Sequence, residues 1–294
     1  MRIFHSDRYT LPLPPGHRFP MRKYQALHAR VRRQADPDWQ LHEAPPASRA
    51  ALTRVHTAAY VAQVLEHGIG AAAERRLGLP WSPALAARSL HSVGGTLAAC
   101  AAAHTDGIAV NLAGGTHHAG ATAGAGFCVF NDVAVAALDA LHSGAARHVL
   151  VVDCDVHQGD GTAALLATHP AAYTFSIHAA RNYPHRKARS RLDIALPDRC
   201  GDADYLDLLA AGLEHALAVA RPGLAIYLAG ADPWAGDRLG RLALSKPGIA
   251  ARDELVLRAL EAAGCRVAVV MGGGYADAVT DIVDIHMGTV RAAG

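Results

Sequence analysis

Asp153, Asp155, His157 and Asp160 crowd into Val151-Val152-Asp153-Cys154-Asp155-Val156-His157-Gln158-Gly159-Asp160-Gly161, at the end of the apolar run His148-Val149-Leu150-Val151-Val152. The run reads as a buried parallel strand. Ionised groups beside such a core need something of opposite charge to hold them there. Asp155 and His157 lie two apart, so on an extended backbone their side chains point to the same side, while Cys154 turns to the other face. A carboxylate beside an imidazole suits Zn²⁺, with ligand distances near ~2.0–2.2 Å. The leading reading is a metal site.

Three more segments place polar groups directly after apolar runs. Gly114-Gly115-Thr116-His117-His118-Ala119-Gly120 follows Ile108–Leu112, Ala229-Gly230-Ala231-Asp232-Pro233 follows Leu224–Leu228, and Met271-Gly272-Gly273-Gly274-Tyr275 follows Arg266–Val270. In an open parallel sheet, ligands bind outside the carboxyl ends of the strands. The adjacent His117 and His118 can address one water from neighbouring directions, and Asp153 and Asp160 are free to receive their other ring N–H groups. Taken alone, Asp232 reads as well as a turn or helix-capping carboxylate, and Tyr275 as a ring packed on a helix cap.

The paired histidines, Asp-x-Asp-x-His-x-Gly-Asp, Gly-Ala-Asp and Gly-Gly-Gly-Tyr, in that order, resemble the histone deacetylase superfamily, whose fold is the arginase–deacetylase fold. The segment Ala235–Gly240 through Pro247–Ile249, then Arg252–Val256, is most similar to the class IV branch and its bacterial relatives. The resemblance runs from about Phe4 to the end of the chain. It implies Asp155, His157 and Asp232 as Zn²⁺ ligands with an open position, a donor set that also suits Fe²⁺. It pairs His117 with Asp153 and His118 with Asp160, makes His118 the general base and later the acid, and gives His117 electrostatic support. Tyr275 then donates to the developing oxyanion, and the glycines before it, Gly273 among them, let the backbone approach the substrate. Gly126 accepts from the substrate amide, and Phe127 faces Tyr183 across a slot for an aliphatic chain. Ser176 and Ile177, with the backbone of Asp153, Asp155 and His157, match a structural K⁺ site.

The activity so implied is zinc-dependent removal of an acetyl or longer acyl group from ε-N-acyl-lysine in a peptide or protein, or from a small acylated amine. The alternatives are an acetylpolyamine amidohydrolase and a non-catalytic acyl-lysine or metal-binding scaffold, which needs neither the charge-paired histidines nor the tyrosine. Polyamine-selective relatives carry glutamate at the position matching Leu239, and leucine cannot attract an ammonium there. An arginase-like two-metal centre is disfavoured, because Asp232 is followed by Pro-Trp-Ala rather than by a second ligand.

These groups need a scaffold. Strands at Arg2–Phe4 (on an edge), Tyr173–Ile177 and Leu192–Leu196 join those already named. Helices are expected at Arg22–Arg33, Thr57–His67, Pro83–Ala103 (bent near Gly94-Gly95), Asn131–His142, Gly161–Ala167, Asp202–Ala220, Pro247–Ala263 and Ala276–Arg291. The alternation argues for an α/β fold, a mostly parallel sheet with helices on both faces. With 294 residues, 51% of them hydrophobic, the chain can bury one full core over 1–294. The long irregular stretches 119–127, 179–191 and 233–246 all follow strands on the presumed active face. A net charge of +2 gives no argument for nucleic acid, and the basic cluster from Arg181 to Arg191 reads as a solvated loop. Five cysteines without paired spacing, and no apolar run of membrane-spanning length, point to a soluble, cytoplasmic protein with reduced thiols.

Overall fold

A computed structural model describes every residue except Ala35. Val149 to Asp153 (β4), Leu224 to Ala229 (β7) and Arg266 to Met271 (β8) are the apolar runs from which the Asp-x-Asp-x-His, Gly-Ala-Asp and Gly-Gly-Gly-Tyr segments emerge, and they lie side by side at the centre of the sheet. Both faces of these strands are buried, as continuous hydrophobic sequence requires. The full sheet adds Arg2–His5 (β1), Gln40–Glu43 (β2), Ile108–Asn111 (β3), Ala172–Ala179 (β5) and Leu192–Leu196 (β6). Its order is β2-β1-β3-β8-β7-β4-β5-β6, with every pairing parallel.

The helices are α1 (Lys23–Gln34), α2 (Arg49–Leu52), α3 (Ala58–Ala62), α4 (Ala71–Leu77), α5 (Pro83–Asp106), α6 (Asp132–His142), α7 (Asp160–Leu166), α8 (Asp202–Ala220), α9 (Lys246–Ala262) and α10 (Val279–Ala293). Side-chain alternation divides the core. Val149 and Val151 face a cluster built with α5 and α6, whereas Leu150, Val152, Cys154 and Val156 face one built with α1, α8, α9 and α10. Cys154 therefore points away from its flanking aspartates, as strand alternation predicts. All five cysteines are buried and unpaired. No helix among the described residues is long and apolar enough to cross a membrane.

One expectation needs correction. The strand at Arg2–His5 is not on the edge, because β2 pairs with it and takes the edge. Helix α5 runs unbroken from Pro83 to Asp106 through Gly94-Gly95. Side chains there would strike the Pro45 carbonyl and the Tyr9–Asn111 hydrogen bond, so the glycines serve close approach.

Candidate active site

Asp155, His157 and Asp232 are brought together at the carboxyl ends of β4 and β7, with one donor atom of each within 4.8 Å of the others. His157 Nδ1 stands 3.0 Å from Asp155 Oδ1 and 3.2 Å from Asp232 Oδ2. The backbone fixes the remaining oxygens. Gly273 N–H donates to Asp155 Oδ2 at 2.6 Å, and Val156 N–H donates to Asp232 Oδ1 at 3.0 Å. Asp232 Oδ2 is buried yet receives no hydrogen bond, since the His157 contact lacks the geometry for one. Burial, then the charge of Asp155, pushes the Asp232 carboxyl up to about 7. Burial opposes charge on His157 too, but Asp155 and Asp232 hold its imidazole at about 10. Two buried carboxylates and an orphaned oxygen aimed at one imidazole nitrogen are what a cation would relieve. Two oxygens and one nitrogen leave a position open, as catalytic Zn²⁺ sites do. The residues fit a divalent metal.

The histidine pair stands above this cluster with its rings 4.2 Å apart. His117 Nδ1 meets Asp153 Oδ2 at 2.7 Å, and His118 Nδ1 meets Asp160 Oδ1 at 2.7 Å. The similar contacts have opposite consequences. Burial disfavours charge on His117, yet Asp153 and then Asp155 raise it to about 9. Burial, followed by the charge of His117, drives His118 down to about 4. Near neutral pH the site therefore holds an imidazolium beside a neutral imidazole. Environments that push two like groups apart in this way suit one to hold charge and the other to accept a proton. Tyr275 completes the floor, its ring 6.2 Å from that of His157. Burial, then Asp155 and Asp232, keeps its phenol protonated and able to donate.

The scaffold around these groups was not visible in the sequence. Asn131, the N-cap of α6, donates to the carbonyls of His117 (3.2 Å) and Ala119 (3.1 Å). Its neighbour Asp132 accepts from the N–H groups of Gly115 and Thr116, so the start of one helix holds the whole histidine loop. The Asn-Asp pair ahead of an apolar helix was the available signal. Lys23 on α1 is buried and donates to Gly272 O at 3.2 Å and to Gly274 O at 3.5 Å, its ammonium 5.4 Å from the Tyr275 ring centroid. Behind the Asp/His/Asp cluster, Arg252 Nη1 donates to Gly230 O (2.6 Å) and Cys154 O (3.3 Å). Asp237 accepts from the N–H groups of Leu239, Gly240 and Tyr275. It therefore serves the loops.

A cavity of about 540 Å³ descends to His118, His157 and Tyr275. Gly126, Phe127, Tyr183 and Leu239 line it. Gly126 (φ 53°) leaves no room for a side chain beside the His118 ring. Phe127 is held at φ 66°, an uncommon conformation for a bulky residue, and packs against Phe19 (ring centroids 5.1 Å) and Tyr275 (5.9 Å). Tyr183 lies edge-on to His118 at 4.9 Å. Asn182 binds Leu239 O and the Arg241 N–H, tying the 179–191 loop to the 233–246 loop. Gly273 lines none of this cavity's wall. Its N–H is committed to Asp155, and a side chain there would strike the Asp232 carboxylate.

With that arrangement in view, a model of the histone deacetylase domain matches residues 17–290. The chain belongs to the histone deacetylase family. A relative 43% identical over 293 residues, spanning 99% of this chain and 97% of its own, is an uncharacterized protein of Picosynechococcus sp. strain PCC 7002. Histone deacetylase 2 of Arabidopsis thaliana is 35% identical over 186 residues, or 62% of this chain and 48% of that protein. The crystal structure of the HDA15 HD domain superposes over the whole chain with a TM-score of 0.82 at 21% identity, covering 90% of that domain. A histone deacetylase homologue from Aquifex aeolicus does so with 0.83 at 22% identity, covering 83% of that chain. These two establish the fold. This histone deacetylase family member is a hydrolase of the deacetylase type, as the domain and its homologues show.

Proposed function

We propose that the protein removes acyl groups from ε-N-acyl-lysine with Zn²⁺ held by Asp155, His157 and Asp232. The observation that carries this is the split pair, a charged His117 and a neutral His118 over an Asp/His/Asp cluster at the foot of a narrow cavity. When bound, the metal supplies Lewis-acid polarisation of the amide carbonyl and a more acidic water. His118 takes the proton of the attacking water, its tautomer fixed by Asp160, and returns it to the departing amine. His117, held by Asp153, keeps a positive charge beside the reacting carbon. Tyr275 donates to the oxyanion, a contact whose loss typically costs ~2.7–4 kcal/mol of transition-state stabilisation. Gly126 O, touched only by the weak thiol donor of Cys128 at 3.3 Å, has a lone pair for the substrate amide N–H.

Leu239 at the mouth favours the methylene chain of lysine, each buried CH₂ contributing about 0.8 kcal/mol, over the ammonium of an acetylpolyamine. Fe²⁺ satisfies the same donors. For K⁺ the family resemblance is the support; Ser176 Oγ here lies 2.9 Å from His178 Nδ1. The buried thiols suit a reducing, cytoplasmic setting. The test is a panel of acyl-lysine peptides and acetylated spermidine and putrescine, assayed with Zn²⁺-loaded protein. Turnover of acyl-lysine above acetylpolyamine is expected. A tenfold preference for polyamines overturns the substrate assignment, and binding without turnover of any amide favours the scaffold reading.

A further inference from the structure

The cavity mouth carries a ring of positive charge assembled from separate segments. Arg18 comes from the loop before α1, Arg76 from α4, Arg181 from the loop after β5 and Arg241 from the loop after β7, with His185 beside them. All four arginines are exposed. They are far apart in sequence, so no basic run announces them, and the chain as a whole is nearly neutral at +2. The one carboxylate serving the ring is Asp198, whose Oδ2 is shared by Arg181 at 3.6 Å and Arg241 at 3.0 Å. Arg76 spends only its Nε on the Gly124 carbonyl. Among the residues lining the cavity there is no acidic side chain. Two other carboxylates of the site are committed elsewhere, Asp160 to His118 and Asp237 to three backbone N–H groups.

Acylation neutralises the lysine that enters the cavity, so the charges meeting this ring belong to the residues flanking it. Guanidinium groups from several segments around one mouth raise the local concentration of anionic partners and repel cationic ones. Planar guanidiniums also match carboxylates with paired hydrogen bonds. Resting on the acyl-lysine reading, we propose that the preferred substrate is an acyl-lysine within an acidic stretch of polypeptide, selected by Arg18, Arg76, Arg181 and Arg241.

The basic loop read from sequence as solvated is in part a specificity element. Arg181 and His185 reach the mouth, while Lys187 folds back to donate to the carbonyls of Asn182 and Pro184.

The test uses acetyl-lysine peptides flanked on both sides by glutamates, glutamines or lysines, with kcat/KM measured at low and high salt. The expected ranking is glutamate above glutamine above lysine. The outer two should differ by about tenfold or more at ~20 mM ionic strength, and by about twofold near ~0.5 M, where the Debye length is only a few ångströms. In the triple variant Arg18→Gln, Arg181→Gln, Arg241→Gln the ranking should flatten at low salt, with Tm reporting that the fold is kept. Equal kcat/KM on all three peptides, a reversed order, or a ranking untouched by salt overturns the proposal. Hydrolysis of the glutamine peptide then leaves the deacylase reading standing. If no peptide is hydrolysed, that reading falls, and peptide binding by fluorescence anisotropy decides this one. The glutamate peptide binding no tighter than the glutamine peptide overturns it; tighter, salt-sensitive binding upholds it.

Discussion

Replacing Arg252 with Met should be among the most damaging single changes outside the histidine and metal-ligand sets. The guanidinium is fully buried beside Asp253, donating to its Oδ1 from Nε at 2.9 Å and from Nη2 at 2.7 Å. The same carboxylate receives Tyr227 Oη at 2.5 Å and Thr289 Oγ1 at 2.7 Å. Breaking such a pair from one side strands a buried charge, for about 3–5 kcal/mol. The carbonyls of Gly230 and Cys154 also lose their donor, each worth roughly 1–3 kcal/mol if left unsatisfied, with partial relaxation offsetting some of it. A loss of about 4–6 kcal/mol is therefore expected, a large part of the 5–15 kcal/mol typical of a folded domain. Urea unfolding should be run both with chelator and with metal in excess, because ligand binding to the native state otherwise masks the change. The double variant Arg252→Met, Asp253→Leu should recover part of the loss, since no unpaired charge remains. Cys154 and Gly230 lead directly into the chains carrying Asp155 and Asp232, so Arg252→Met should also release metal more readily to a competing chelator, with Arg252→Lys intermediate. A stability change below about 1 kcal/mol, or a double variant worse than Arg252→Met, would refute the reasoning.

The remaining expectations concern the reaction. His157→Ala and Asp232→Ala should abolish stoichiometric metal binding along with turnover, and undiminished metal by elemental analysis in both variants would remove the ligand assignment. His118→Ala and Tyr275→Phe should keep metal and fold yet lose most of kcat, with His117→Ala less severe; wild-type turnover in His118→Ala defeats the general-base role. Because His118 sits near 4 and acts when neutral, kcat/KM should rise with pH on a limb lying below 6.5, the ordinary histidine value. Removing the His117 charge should move that limb upward, and a limb unmoved or shifted to lower pH contradicts the split. Leu239→Glu should shift selectivity toward acetylpolyamines by about 5–10-fold, the low end of a ~1–3 kcal/mol charge contact because the arginines screen it. No change in the ratio would take Leu239 out of substrate choice.

What could be read from the residues followed strand chemistry. Apolar runs ending in titratable groups located β3, β4, β7 and β8 within a residue or so, and alternation placed Asp155 with His157 and turned Cys154 away. Gln40–Glu43 offered no such cue. Its residues are all exposed and mostly polar, so it is a strand only because β1 presents it with a hydrogen-bonding edge. Short helices such as Ala71–Leu77 escaped because about two turns between Gly70 and Gly78 are too few to show a helical period. The supporting set was hidden by distance along the chain. Lys23 meets Gly272 across 249 positions and Arg252 meets Cys154 across 98, and no local pattern encodes a partner that far away. The arginine ring was hidden by dispersal among four segments, although the loop holding Arg181 was conspicuous.

Asp237 gives the mouth and the floor of the cavity a common mechanical fixture. One of its oxygens grips the backbone of Leu239 and Gly240, and the other grips the backbone of Tyr275. A substrate that pushes Leu239 aside therefore pulls on the carboxylate that holds the Tyr275 backbone. Lock and key are cut from the same piece. Attempts to widen the entrance for bulkier acyl groups should accordingly be designed around Phe127, whose backbone N–H is held by the Leu77 carbonyl at 2.7 Å rather than by Asp237, if the position of Tyr275 is to survive the alteration.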